Sequence, residues 1–249
     1  MTVEITIPCY NEAHRLEGGF SKLSRWLEAN PLTARDISIV IAVNGSTDAT
    51  LEIARRLAPL SPVPCRVRAI ERAGLALALR DAWDTSTADI VGYADTDMAT
   101  DLAHIPEVIA RFQAPGVVAV NGSRWLPASV VGRRSLKRRA CSRLLRLGIG
   151  ILTGIRATDI ACGFKFFRRD WYGRWSGEVF SEQFFLGGEL LYLAQCEGPG
   201  AVVELPLRWT DQPGSRINIK SAMLSYWDGI RKLNQLKRRL AQRRAAAGG

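Results

Sequence analysis

The chain has 249 residues, 47% of them hydrophobic and 23% charged, a composition that buries a real core and argues against a disordered chain. Its formal net charge is +10, which favours anionic partners such as nucleotides, phosphorylated substrates, acidic lipid headgroups or nucleic acid without choosing among them. Five scattered cysteines (Cys9, Cys65, Cys141, Cys162, Cys196) form no CxxC pair, which argues against a disulfide framework or a zinc site and points to a reducing cytoplasm.

Val3 to Pro8 reads as a short buried strand, with no basic leader segment ahead of it. Glu12 to Ala29 carries a helical pattern that Asn30-Pro31 closes. Ile37 to Val43 is a β-branched strand, and Asn44 to Asp48 is a turn leading into a helix over Ala49 to Ala58. The alternation continues with a strand at Cys65 to Ile70, a helix at Gly74 to Ser86 and a strand at Asp89 to Ala94. A helix at Ala103 to Phe112 and a strand at Val117 to Asn121 complete this half. Strands alternating with helices predict a doubly wound α/β fold with a mostly parallel sheet. Polar clusters follow four of the strands: Tyr10 to Glu12, Asn44 to Asp48, Asp95 to Asp97 and Gly122 to Arg124. In such sheets they share the end where ligands bind.

The second half reads as a basic helix over Arg133 to Thr153, strands at Phe164 to Arg168 and Ala201 to Trp209, and a long helix from Ile219 to Arg244 with a frayed tail. The best apolar run, Leu144 to Ile155, contains Arg146 and is too short to span a bilayer. The last helix is apolar on one side and basic towards its end. It suits either packing on the domain or peripheral contact with an anionic membrane at the cytoplasmic face. Aromatic residues do not interleave with the basic run as a stacking platform requires, so no nucleic-acid partner is expected.

Asp95-Thr96-Asp97 ends an apolar strand. Two carboxylates spaced by one residue suit a hard divalent cation, directly or through water. Taken alone, the pattern more often marks a solvated acidic turn. Its neighbours add to it. Ile7-Pro8-Cys9-Tyr10-Asn11-Glu12 resembles the "IPxYNE" opening of family-2 glycosyltransferases, and Asn44 to Thr50 resembles their "DGSTDGT". Gly122-Ser123-Arg124 resembles their "GSR". Thr158 to Lys165 resembles the "DxxCGFK" of the dolichyl- and polyprenyl-phosphate glucose and mannose synthase branch, and Glu189-Leu190-Leu191 and Glu204 to Trp209 resemble its "ELL" and "EvPvxW". The resemblance runs in order from Val3 to Arg216.

That resemblance implies a single GT-A domain over 1–218, with a Rossmann-like, mostly parallel central sheet flanked by helices, and a C-terminal basic helix with a tail over 219–249. Residues 1–124 would form the nucleotide-sugar half and 125–218 the acceptor side. It implies an inverting hexose transfer from a nucleotide sugar, UDP-linked first and GDP-linked second, assisted by Mg²⁺ or Mn²⁺. A polyprenyl phosphate would be the acceptor, or alternatively a soluble hydroxyl; a non-catalytic degenerate fold binding anionic partners is the third reading. Pro8, Tyr10 and Glu12 would line the nucleoside pocket, with Asn44 near the base. Asp95 and Asp97 would hold the metal and diphosphate, and Arg124, Arg134, Arg138, Lys165 and Arg216 would meet phosphates. Asp159 would stand at the reacting centre as base or positioning acid, and Glu189 is a further candidate there. The chain departs from the family pattern where Asn44 replaces an acid, where Ala73-Gly74-Leu75 lacks a lysine, and where Leu186-Gly187-Gly188 lacks an aspartate.

Overall fold

The structure, a computed structural model, describes residues 1–132, 148–210 and 219–247, with side chains of the last helix described from Leu224 to Arg243. In chain order its elements are β1 (Val3–Cys9), α1 (Leu16–Ala29), α2 (Pro31–Ala34), β2 (Ile37–Asn44), α3 (Thr50–Leu57), β3 (Cys65–Ile70), α4 (Leu75–Asp84), β4 (Ile90–Ala94), α5 (His104–Phe112) and β5 (Ala119–Ser123). There follow β6 (Val130–Val131), a helix α6 over 148–153, β7 (Phe164–Arg168), α7 (Arg169–Trp175), α8 (Leu186–Cys196), β8 (Val202–Pro206), β9 (Arg208–Trp209) and α9 (Ile219–Ala247).

Seven strands form one sheet in the order β3-β2-β1-β4-β7-β5-β8, and β6 pairs with β9 in a separate ribbon. Every pairing in the large sheet is parallel except those of β7, which runs antiparallel to both β4 and β5. The strand at 164–168 was expected; its reversed direction was not, because direction is set by the path of the chain between 124 and 163. The strand expected over Ala201 to Trp209 is broken at Leu207, and its last two residues leave the main sheet to pair with β6.

Alternation along the strands builds two cores. Val3, Ile5, Ile7 and Cys9 join Ile39 and Ile41 against α1, α3 and α5. On the other face Val40, Ala42, Val91 and Tyr93 meet α4, α7, α8 and α9. Trp83 anchors this second core against Tyr93, Phe167 and Tyr172, and its indole N–H donates to the Thr6 hydroxyl at 3.1 Å. Truncating such a side chain costs ~3–5 kcal/mol.

Helix α1 buries Leu16, Phe20, Leu23 and Leu27, an i, i+4, i+7, i+11 stripe. It begins four residues later than the pattern suggests. Asn11 takes a left-handed φ of 52°, and the amides of Glu12 and Ala13 are spent on Thr50 and Asp48. Helix α9 buries Tyr226, Ile230, Leu233 and Leu236 in the second core, so it is packed on the sheet's helical layer along this face.

Candidate active site

From β1 the chain winds outward to β2 and β3, then returns to β4 on the other side of β1. This reversal leaves a crevice beyond the carboxyl ends of β1 and β4. Tyr10 to Glu12 and Asp95 to Asp97 occupy it. The two loops are tied together: the Thr96 hydroxyl donates to the Pro8 carbonyl at 2.8 Å. Gly19 of α1 lies against the Thr96 carbonyl, where any Cβ would collide.

The segment after β2 braces the β1 loop. The Asn11 amide donates to the Ser46 hydroxyl at 3.0 Å, and the Asn11 side chain accepts from the Thr47 amide at 2.8 Å. Asp48 accepts from the Ala13 and Thr50 amides at 3.2 and 3.0 Å. Burial acts to raise its carboxyl, but hydrogen bonds from Thr50 and Ala13 hold it below the usual range. Asn44 is buried, and both ends of its amide are taken: it donates to the Cys9 carbonyl at 3.0 Å and accepts from the Gly74 amide at 2.8 Å. It shapes the pocket floor from behind. Pro8 is partly buried beneath the site, whereas Tyr10 stands out at its rim, 53% exposed.

Asp95 and Asp97 have opposite surroundings. The Asp95 carboxylate has no hydrogen bond or ion pair among the described residues and its surface is open to solvent. Protein nevertheless crowds round it, as it would round the floor of a cleft. That desolvation, with the Asp97 charge, raises its pKa to about 6 against the pull of Arg124, Lys165 and Arg15. Gly163 packs directly on this carboxylate, leaving no room for a Cβ. Asp97 is engaged: it accepts from the Ala99 amide at 3.1 Å and from Arg15 at 3.3 Å. Arg15 also forks onto Glu12 at 2.6 and 2.7 Å. Among the described residues no group of three or more histidines, cysteines or acids stands in metal-holding geometry. Asp95 and its neighbour Asp97 offer carboxylate oxygens of the kind a hard cation takes, and a cation here would need further oxygens from a bound anion or water to complete its shell.

Asp159 lies on the 158–163 turn, whose Gly163 packs on Asp95. It is buried and clamped by Arg124, which gives three hydrogen bonds: Nε at 2.7 Å, Nη2 at 2.9 Å and the backbone amide at 3.1 Å. Burial pushes Asp159 up, but the hydrogen bonds and charge of Arg124 prevail and hold it below the usual carboxylate value. Arg124 in turn lies 5.6 Å over the Trp209 ring. The turn is fixed from beneath. Glu204 accepts from the Thr158 amide at 2.9 and 3.0 Å and from Asn121 at 2.9 Å, and Ser123 bonds the Thr158 hydroxyl at 2.6 Å.

The remaining expected residues lie elsewhere. Lys165 is wholly buried and its ammonium points to the Cys162 and Asp159 carbonyls, so it organises the turn rather than opening onto the cleft. Burial is the largest influence on it and lowers it from the ordinary lysine value. Glu189 is also fully buried. One oxygen accepts from the Ser181 amide at 3.1 Å, and the other has no partner among the described residues. Burial raises its carboxyl, and its electrostatic neighbours are Ser181, Phe180 and Lys232 rather than the charges of the cleft. Arg134, Arg138 and Arg216 lie outside the described residues. His104 is tied into the fold: Nε2 accepts from the Arg208 amide at 2.9 Å, which puts the proton of the neutral ring on Nδ1, facing Glu107.

Sequence reasoning missed Arg15 and the bracing role of Glu204. Both are ordinary charged residues in sequence, and only their partners, 82 and 46 positions away, give them meaning.

The sequence matches the model of the family described as "Glycosyl transferase family 2" over residues 4–175. It is 32% identical over 220 residues to glycosyltransferase AglD of Haloferax volcanii, covering 87% of this chain and 34% of that protein. It is 24% identical over 229 residues to a dolichyl-phosphate β-glucosyltransferase of Drosophila melanogaster, covering 87% of this chain and 69% of that one. A dolichol-phosphate mannosyltransferase of Pyrococcus furiosus is 28% identical over 172 residues, or 68% of this chain and 47% of the relative. The chain thus spans about a third to two thirds of these relatives' lengths. Among solved structures, glucosyl-3-phosphoglycerate synthase of Mycobacterium tuberculosis, crystallised with Mn²⁺, UDP and glucosyl-3-phosphoglycerate, superposes with a TM-score of 0.67. The identity is 17%, and the match covers 94% of this chain and 79% of that one. Mannosyl-3-phosphoglycerate synthase of Rubrobacter xylanophilus gives 0.68 at 15% identity, covering 97% and 75%. These likenesses show the fold, which is the GT-A type.

Proposed function

Because the chain belongs to glycosyl transferase family 2, we propose that it moves a hexose from a nucleotide sugar, a UDP-hexose in the first instance, to a polyprenyl phosphate, inverting the anomeric configuration. The observation that carries this reading is Asp95, a carboxylate with no partner among the described residues, in the crevice at the β1/β4 switch point beside Asp97. Mg²⁺ or Mn²⁺ held by Asp95 and Asp97 would supply Lewis acidity and neutralise the departing diphosphate. Tyr10 at the rim and Glu12, held by Arg15, would take the nucleoside.

Asp159 supports an anionic acceptor. A carboxylate clamped by Arg124 and held below its usual pKa is a weak base. A phosphate acceptor is already ionised and needs positioning by cations rather than deprotonation. A hydroxyl acceptor needs a base of pKa near neutrality. The polyprenyl acceptor also draws support from relatives named as acting on dolichyl phosphate. No helix among the described residues is long and apolar enough to cross a membrane. The exposed Leu224 and Trp227 on α9, followed by exposed Arg231, Arg238 and Arg239, support contact with an anionic membrane surface. A second reading keeps the donor site and takes a soluble hydroxyl acceptor; it draws on the sugar-phosphoglycerate products named for the structural neighbours.

Calorimetry with UDP-glucose, GDP-mannose and UDP-N-acetylglucosamine, each with and without Mn²⁺, tests the donor site. We expect one donor to bind only with metal, and the binding to vanish in Asp95→Asn. No binding of any donor would remove the reading. Organic extraction after incubation with labelled donor and polyprenyl phosphate then decides the acceptor, since label enters the lipid phase only under the first reading.

A further inference from the structure

Helix α1 presents one stripe to the acidic turn. Arg15 at its start, Gly19 one turn on and Lys22 two turns on all touch residues 96–97: the guanidinium meets the Asp97 carboxylate at 3.3 Å, Gly19 packs on the Thr96 carbonyl, and the Lys22 ammonium donates to the Asp97 carbonyl at 3.3 Å. Arg15 does more than pack. Its planar fork spans Glu12 and Asp97, two acids from different strand ends, and all three side chains are at most 18% exposed. Asp95 by contrast has no such partner among the described residues.

A cation entering the cleft therefore finds one acid free and the other already paired. We propose that Arg15 is the internal counter-ion of Asp97: a positioning residue that occupies the second acid until a divalent cation takes its place, and that ties this exchange to Glu12 at the nucleoside side of the crevice. The inference rests on the metal reading above. Two opposite effects follow. Removing the guanidinium frees Asp97 and takes away a competing positive charge, so the bare cation binds more tightly. It also leaves Glu12 without its fork, so a nucleoside offered without metal binds more weakly. A general structural defect would weaken both.

The test is a titration with Mn²⁺ alone, read from the paramagnetic resonance of the free ion, on the parent, Arg15→Gln and Arg15→Lys, each checked by circular dichroism. Uridine binding without metal is measured beside it. Arg15→Gln should bind Mn²⁺ about five- to tenfold more tightly than the parent and uridine more weakly. Arg15→Lys keeps the charge but cannot span both acids, and should fall between the two. It carries the test if Arg15→Gln does not fold. Mn²⁺ affinity unchanged or reduced in a folded variant overturns the proposal while leaving the metal site standing. Absence of Mn²⁺ binding in parent and variants alike overturns both.

Discussion

At the residue scale, the contact between Gly163 and Asp95 admits only glycine, as does that of Gly19 against the Thr96 carbonyl. The Cys162-Gly163 step carries the 158–165 segment past the free carboxylate so closely that any side chain at 163 would overlap it. Gly163→Ala must therefore push Asp95 or the turn aside. We expect a loss of metal-dependent donor affinity of tenfold or more, with a modest change in melting temperature, measured by calorimetry beside thermal melts. Unchanged donor affinity would mean that Asp95 does not act from its present position. Glycine here was readable as part of a motif, but the motif does not say which atom it makes room for. Asp159 was singled out as a site acid in the same way. Its clamp by Arg124, which weakens it as a base, belongs to two segments 35 residues apart.

At the scale of elements, helices and strands of the first half were legible because hydrophobic periodicity and turn residues are local signals. The strand at Cys65 to Ile70 falls where its pattern places it. Boundaries moved where tertiary bonds competed with local preference. The start of α1 is delayed by the bracing of residues 11–13, and β5 runs on to Ser123 because Gly122 and Ser123 pair with Leu205 and Pro206. Helices α7 and α8 went unread, since α8 is buried nearly all round and shows little amphipathic contrast. Helix α9 takes the first of the two fates expected of it along one side and leaves the other side open. One side packs in the second core, and Leu224 and Trp227, 73% and 67% exposed, share the opposite side. Replacing both with serine should leave the fold intact and lower binding to vesicles containing anionic lipid about tenfold or more, as judged by flotation. Equal flotation of parent and variant would remove α9 from the membrane reading.

For the whole molecule, the Arg124–Asp159 pair joins β5 to the turn that precedes β7, and its effect is felt in stability. Asp159 has a folded pKa below its ordinary value of 3.8, so its contribution is complete above that value and is lost as pH falls through the folded one. Arg124→Gln leaves the carboxylate buried without its ion partner, at a cost of ~3–5 kcal/mol near neutrality. Below about pH 4 protonation of Asp159 relieves the variant while the parent loses its ion pair. The gap in melting temperature between parent and Arg124→Gln should therefore narrow on acidification. A gap that stays constant from pH 7 to pH 3 would contradict the ionised state assigned to Asp159.

The sequence by itself determined the α/β alternation, the sheet end that carries the polar clusters and the acids of the crevice, because each is written in neighbouring residues: a period of two or 3.6, a proline or glycine, a carboxylate after an apolar run. Only the tertiary structure decided that β7 runs backwards, that Asn44, Lys165 and Glu189 are buried behind the site, and that Arg15 stands between Glu12 and Asp97. Those outcomes depend on which distant segments meet, and on whether a polar group finds its partner in the protein or is left to the solvent and a ligand.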